Sequence, residues 1–287
     1  METRVIDINS KEYPTKLKEI KDSPKKLYVR GNLPDENKKS VAIIGARACS
    51  DYGSTLAKLF AKELAKNDVQ IIGGLSLGIQ TSAHIGALEM EKATFGVLGC
   101  GPDICYPSYN YNVYERMLEN GGMISEYKDM IEPSPINFIN RNRIITGLSD
   151  VVIIIESKNN GAAIITSEYA KEQGKKIFAC PNKVGESLGF GTNKLIKDGT
   201  AEILLNVNDV LNYLGIEDSN NNTIINIDNL DYFERLVYDS IDSSSIHFDE
   251  ISVNTKLPYE KLHNVLISLQ LSGYIENTAF NYYKKVV

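Results

Sequence analysis

The sequence predicts an α/β protein, a Rossmann-like doubly wound, mostly parallel sheet followed by a small C-terminal winged-helix domain. Three observations predict it. Short β-branched runs alternate with helix-period segments from residue 41 to 205, and glycine-bearing turns follow several of the runs. An Asn/Asp-rich break then separates this pattern from a helical tail. Apolar strands that alternate with amphipathic helices pair in parallel, and helices then cover both faces of the sheet.

The elements follow in order. Residues 1–40 lack the alternation and are assigned to a segment packing on the body. The body, 41–214, opens with "SVAIIGAR" and continues through "VQIIGG", "ATFGVLG", "GMIS", "DVVIIIE", "KKIFACP" and "AEILL", each holding a strand of four to six residues. Between the first two, "YGSTLAKLFAKELAKN" sets Leu56, Ala57, Leu59, Phe60 and Leu64 on one helical face. "GAAIITSEYAKEQGK" does the same with Ile164, Ile165, Tyr169 and Ala170. Residues 215–229 read as a linker, because they are polar and lack apolar periodicity. The tail, 230–287, reads as three short helices, with Pro258 near the start of the third and Gly273 ending it, then a two-strand ribbon. That is the winged-helix layout.

Composition narrows the function classes. With 43% hydrophobic and 24% charged residues the chain is an ordinary globular protein, and its 287 residues suit one large domain plus a small one. No apolar run approaches the ~20 residues of a membrane span, and "METRVIDINSKEYP" lacks a signal-peptide core. Cys49, Cys100, Cys105 and Cys180 show no paired-ligand spacing, so the expectation is a reduced, cytoplasmic protein with no metal and no cofactor. Eleven of the 37 acidic residues but five of the 31 basic ones lie from Gly215 onward, which leaves 26 of each in residues 1–214. The body is neutral and can still bind an anion through a local basic cluster, whereas the acidic tail is a poor phosphate site.

Three glycine turns fall where an open α/β sheet binds ligands: "IIGARACSDYG", "IIGGLSLGIQTSAH" and "ESKNNGAAIIT". In the first, Gly45-Ala46-Arg47 puts Arg47 where a dinucleotide fingerprint needs its second glycine. No acid ends the second strand, and the G-x-x-x-x-G-K-[ST] loop is absent. Nicotinamide and P-loop chemistry are therefore not expected. His84, the one histidine of the body, reads as a packing or capping residue, and no catalytic set converges on it. What stands out is "NFINRNRIITGLSD". Phe138, Arg141 and Arg143, with Arg47 and Lys194, are placed after strands or in loops crossing the ligand edge. Arg141 and Arg143 could instead bridge Glu126 or Glu156, and Phe138 could plug the core. One ring among several guanidinium forks is, however, what a groove for single-stranded nucleic acid requires.

These motifs resemble the DprA (Smf) family of DNA-processing proteins. The resemblance runs from "YPTKLKEIKDSPKKLYVRGN" through "IIGARACSDYG", "GGLSLGIQTSAH", "VLGCGPDICYP", "GGMISEY", "NFINRNRIITGLSDVVIIIES" and "GAAIITSEYAKEQGKKIFACPN" to "GTNKLIKDGTAEIL", about residues 13–205. It implies a non-enzymatic, dimeric protein of natural transformation that binds single-stranded DNA, protects incoming strands and helps load the RecA recombinase. By matched position it implies a DNA pocket of Gly45, Arg47, Phe138, Arg141 and Arg143, with Gly74, Gly78, Gly161 and Lys194 in the surrounding loops. Two positions depart from the family pattern. Gln80 stands where an Asp is usual, and is expected to order its loop less well by capping the following helix. Leu77 stands where an Arg is frequent, which lowers the expected positive potential. Two other readings compete. One is a nucleotide-ligand sensor or nucleotide-processing enzyme on a related fold. The other is a transcription regulator, weakened because helix 258–272 holds one Lys and one Glu.

Overall fold

The computed structural model describes residues 1–217, 230–242, 244–271 and 274–286. The chain divides into two compact units, Met1–Asp218 and Ser219–Val287. In chain order the first unit contains β1 (Arg4–Asp7), α1 (Thr15–Lys18), β2 (Lys26–Gly31), β3 (Ser40–Gly45), α2 (Asp51–Lys66) and β4 (Gln70–Gly73). Then come α3 (Ile79–Glu89), β5 (Thr94–Leu98), α4 (Tyr111–Asn120), β6 (Gly122–Ser125), α5 (Pro135–Gly147) and β7 (Val151–Ile155). The last are α6 (Ala162–Glu172), β8 (Lys176–Ala179), α7 (Phe190–Lys197), β9 (Glu202–Ile203) and α8 (Val207–Leu214).

The strands form one sheet in the order β1-β2-β6-β5-β4-β3-β7-β8-β9. β3 to β9 run parallel. The N-terminal segment does more than pack on this body. Its β1 and β2 join antiparallel and extend the β6 edge. They escape the sequence pattern because they are half-buried: in "KLYVRG" only Leu27 and Val29 are buried, among charged neighbours.

The middle of the sheet is apolar on both faces, as parallel strands between helix layers must be. Ala42, Ile44, Val152 and Ile154 enter one core with Ile144 and Ile145 of α5. Val41, Ile43, Val151 and Ile153 enter the other with Leu56, Phe60 and Leu64 of α2. On α6 the buried face differs from the expected one. Ala163, Thr166, Ser167 and Ala170 are buried, whereas Ile164, Ile165 and Tyr169 are half-buried. Small residues face inward there, which lets the helix approach the sheet closely.

Strand order reverses between β3 and β7, and ligands of open α/β sheets bind at the carboxyl ends on either side of such a switch point. A buried carboxylate ties these ends together. Glu156, one residue past β7 at φ 55°, accepts from the Ser50 N–H at 2.8 Å and from the Ser50 hydroxyl, at the N-cap of α2. Gly45 is needed because a Cβ there would overlap the Ile155 carbonyl oxygen.

The second unit contains α9 (Tyr232–Ser240), β10 (Ile246–His247), α10 (Phe248–Thr255), α11 (Tyr259–Leu271), β11 (Ile275–Ala279) and β12 (Tyr282–Lys285). The expected ribbon gains a third strand, in the order β10-β12-β11. Val237, Ile241, Phe248, Ile251, Leu262, Leu266 and Tyr283 make its core. Asp231 starts α9 with a reciprocal box to Glu234. Of the expected linker only residues 215–217 are described, with Gly215 in a left-handed turn ending α8. Gly273, expected to end the third helix, lies outside the described residues. No helix among the described residues is long and apolar enough to cross a membrane.

Candidate nucleic-acid interface

A cleft of about 690 Å³ opens at the switch point. Gly45, Ala46 and Arg47 line it from the β3 turn, Tyr106 from the segment after β5, and Phe138 and Arg141 from α5. Ser157, Lys158 and Gly161 line it from the turn after β7. A narrower recess of about 140 Å³ adjoins it, between Leu75, Leu77, Leu98, Tyr106 and Phe138.

The segment placed by sequence in a crossing loop is instead the helix α5, entered at Ser134 with Pro135 in its first turn. Its two arginines and three asparagines blur the apolar period, which hides the helix. Helical spacing explains what happens next. Phe138 and Arg141, three residues apart, share one face, whereas Arg143 points elsewhere.

The Phe138 ring is half-buried and stacks on Tyr106, with centroids 5.4 Å apart and planes at 27°. The guanidinium carbons of Arg47 and Arg141 lie 5.8 and 5.9 Å from its centroid. Phe138 is therefore a cleft wall carrying cation–π contacts, not a core plug. Arg141 is 4% exposed. It donates through Nη1 to the Val97 carbonyl and through Nε to Asn142 Oδ1 at 3.3 Å. It has no ion-pair partner among the described residues. Burial and the charge of Arg47 push its pKa down to about 10, so it remains a cation at neutral pH. Arg141 takes part in neither suggested bridge: Glu156 serves Ser50, and Glu126 pairs with Arg143, the one suggested bridge that forms. Gly74 makes room for this arrangement: a Cβ there would run into the Arg141 guanidinium.

Arg143 is not brought to the cleft. Its Nη2 donates to both oxygens of Glu126, at 2.8 and 2.9 Å. Lys194 is exposed on α7 and does not line the cleft. Lys158, which does, was missed by sequence reasoning, although a lysine just past a strand at the reversal point was a usable signal. Tyr106 was also missed. Nothing in "CYPSYN" shows that this ring meets Phe138, far along the chain.

The second glycine loop is held firmly. Gly78 has φ +79°, and a Cβ there would strike the Ala46 and Arg47 carbonyl oxygens, so this loop buttresses the Arg47 turn. Gln80 does not cap α3. Its Oε1 accepts from the Gly74 N–H at 2.8 Å and orders the loop from behind. His84 is fully buried, with Nε2 2.9 Å from the Gly74 carbonyl and Nδ1 2.7 Å from the Thr94 hydroxyl. Burial lowers its pKa to about 4, so it is a neutral scaffold residue. Leu77 is exposed at the edge of the recess and brings no charge. Gly161 precedes α6, whose N-terminus has no side-chain cap and faces the cleft, an arrangement suited to an anion.

Comparisons with known proteins agree with this fold. The family model described as DNA recombination-mediator protein A matches residues 4–215. The DNA processing protein DprA of Streptococcus pneumoniae is 37% identical over 199 residues, 69% of this chain and 70% of the relative. Protein Smf of Escherichia coli is 32% identical over 281 residues, 94% of this chain and 74% of the relative. The X-ray structure of DprA from S. pneumoniae superposes with a TM-score of 0.70 at 34% identity, covering 76% of this chain and 75% of that one. DNA processing protein A from Helicobacter pylori, whose structure concerns its single-stranded DNA binding mode, gives 0.66 at 32% identity, covering 75% and 96%.

Proposed function

Because this chain belongs to the DNA recombination-mediator protein A family, whose members include DprA and Smf proteins, we propose that it binds single-stranded DNA in the switch-point cleft. The observation that carries the reading is Arg141, a buried cation without a carboxylate among the described residues, set beside the half-buried Phe138 ring that lines the cleft. A buried charge is costly unless something neutralises it. Backbone phosphates would do so, shared with Arg47 and Lys158, and a base would stack on Phe138. Gly45, Gly74, Gly78 and Gly161 would let the strand approach the backbone. Lys194 would contribute at longer range and Arg143 through the fold.

The resemblance supports the rest of the reading. The protein would act without catalysis or cofactor in the cytoplasm, as a homodimer that protects incoming strands in natural transformation and hands them to RecA. The second unit would be a winged helix making protein contacts. It carries the acidic excess, and the one lysine of α11, Lys261, sits 3.5 Å over the Phe233 ring.

The 140 Å³ recess favours one other reading, a nucleotide sensor, since it could hold a single base. Titrating the protein with labelled single strands, duplex and mononucleotides at two salt concentrations tests both. The DNA reading expects single strands to bind best, with steep salt dependence and little sequence preference. Equal affinity for mononucleotide and oligonucleotide would favour the sensor.

A further inference from the structure

Resting on the single-strand reading, we propose that Tyr109 is a second stacking stop, which receives a base of the strand as it leaves the Phe138 cleft over the segment after β5. The rings of "YPSYN" start inside the cleft and end outside it. Tyr106 lines both the cleft and its recess while stacking on Phe138. Tyr109, three residues on, is 87% exposed. Three residues reach at most about 11 Å between Cα atoms, about three stacked nucleotides at ~3.4 Å each.

Two features make this ring a platform rather than a loose side chain. Asn110, beside it, is buried, and its amide donates to the Leu75 carbonyl at 2.9 Å and the Thr81 hydroxyl at 2.8 Å. The turn that holds Tyr109 is thereby fastened to the same glycine loop that shapes the cleft. The segment itself also brings no opposing charge, since no acidic residue lies between Asp103 and Glu115. Asp103 is itself engaged by the Met130 N–H at 3.0 Å. A strand continuing from Phe138 and Tyr106 meets a segment without acidic residues that carries an exposed ring. Every base has a face to stack there, so the stop adds affinity without adding sequence preference.

The test measures fluorescence anisotropy with labelled oligothymidylates of two and twenty nucleotides, on wild type, Tyr109→Ala, Tyr109→Phe and Phe138→Ala. Tyr109→Ala should lose about fivefold or more in affinity for the twenty-mer and bind the two-mer, too short to reach from Phe138 to Tyr109, as wild type does. Tyr109→Phe should bind both like wild type, because the ring and not the hydroxyl is used. Unchanged twenty-mer binding by Tyr109→Ala would overturn the proposal, as would an equal loss at both lengths or a loss in Tyr109→Phe matching that in Ala. Phe138→Ala keeps the two readings apart. If it and wild type bind both lengths alike, the cleft reading itself fails; if it loses both while Tyr109→Ala loses neither, only the second stop fails.

Discussion

Arg141 and Arg143 stand two residues apart on one helix, and their surroundings give them opposite tasks. Arg143 has its charge answered by Glu126, so Arg143→Ala should cost about 1 kcal/mol of stability and leave DNA affinity unchanged. Arg141 has no such answer among the described residues. Arg141→Met should leave the melting temperature level or higher, because exchanging a buried charge for an apolar side chain of similar length is often neutral or stabilising. It should still weaken binding to every sequence and reduce the salt slope by about one. Unfolding and anisotropy on the same preparations decide both cases. Phe138→Ala should cost roughly 1–3 kcal/mol of binding, since the ring walls the cleft. His84 supplies a pH prediction. Its folded pKa of about 4 lies below the ordinary 6.5, so the unfolded chain binds the extra proton between those values and stability falls as pH drops through that window. The stability advantage of wild type over His84→Gln should therefore shrink by roughly 3 kcal/mol between pH 7 and pH 4; a constant difference in urea unfolding would contradict it.

At the scale of elements, legibility followed burial. Strands β3 to β8 were readable because runs such as "DVVIIIE" are apolar on both sides. β1 and β2 were not, because an edge strand with one wet face mixes Lys and Arg into its pattern. The cleft was readable as three glycine turns and an arginine-rich stretch, but α5 was not seen as a helix, and only the helix separates Arg141 from Arg143. The face of α6 was misjudged because closely packed helices bury Ala, Thr and Ser in place of Ile. Gln80 shows what a departure from a family pattern can hide. An amide in place of a carboxylate still accepts the Gly74 N–H, so the loop keeps its order. Gln80→Leu removes that acceptor from a buried N–H and should cost about 1–3 kcal/mol of stability. It should also lower DNA affinity, because Gly74 and the Arg141 guanidinium share the same space. Normal affinity in a destabilised Gln80→Leu variant would separate the loop's order from binding.

For the whole molecule, the division of charge leads to a prediction about the tail. Residues 1–216 hold equal numbers of acidic and basic side chains, and the entire net charge of −6 lies beyond them. The same residues include every proposed DNA contact and a closed core. Val210, Leu211 and Leu214 of α8 are buried in the layer that contains α2, and Ile216 packs against it. A chain ending at Ile216 should therefore fold and melt cooperatively, whereas one ending at Leu205 would uncover that layer and should not. DNA binding should survive the first truncation and associate faster at low salt, because an acidic body repels an approaching polyanion over about a Debye length. That gain should fade as salt rises to about 0.5 M, where the Debye length shrinks to a few ångström. The comparison needs association rates at several ionic strengths on full-length and shortened protein. Loss of binding by a cooperatively folded 1–216 chain would place an indispensable part of the DNA site in the second unit, and the switch-point cleft would then be insufficient.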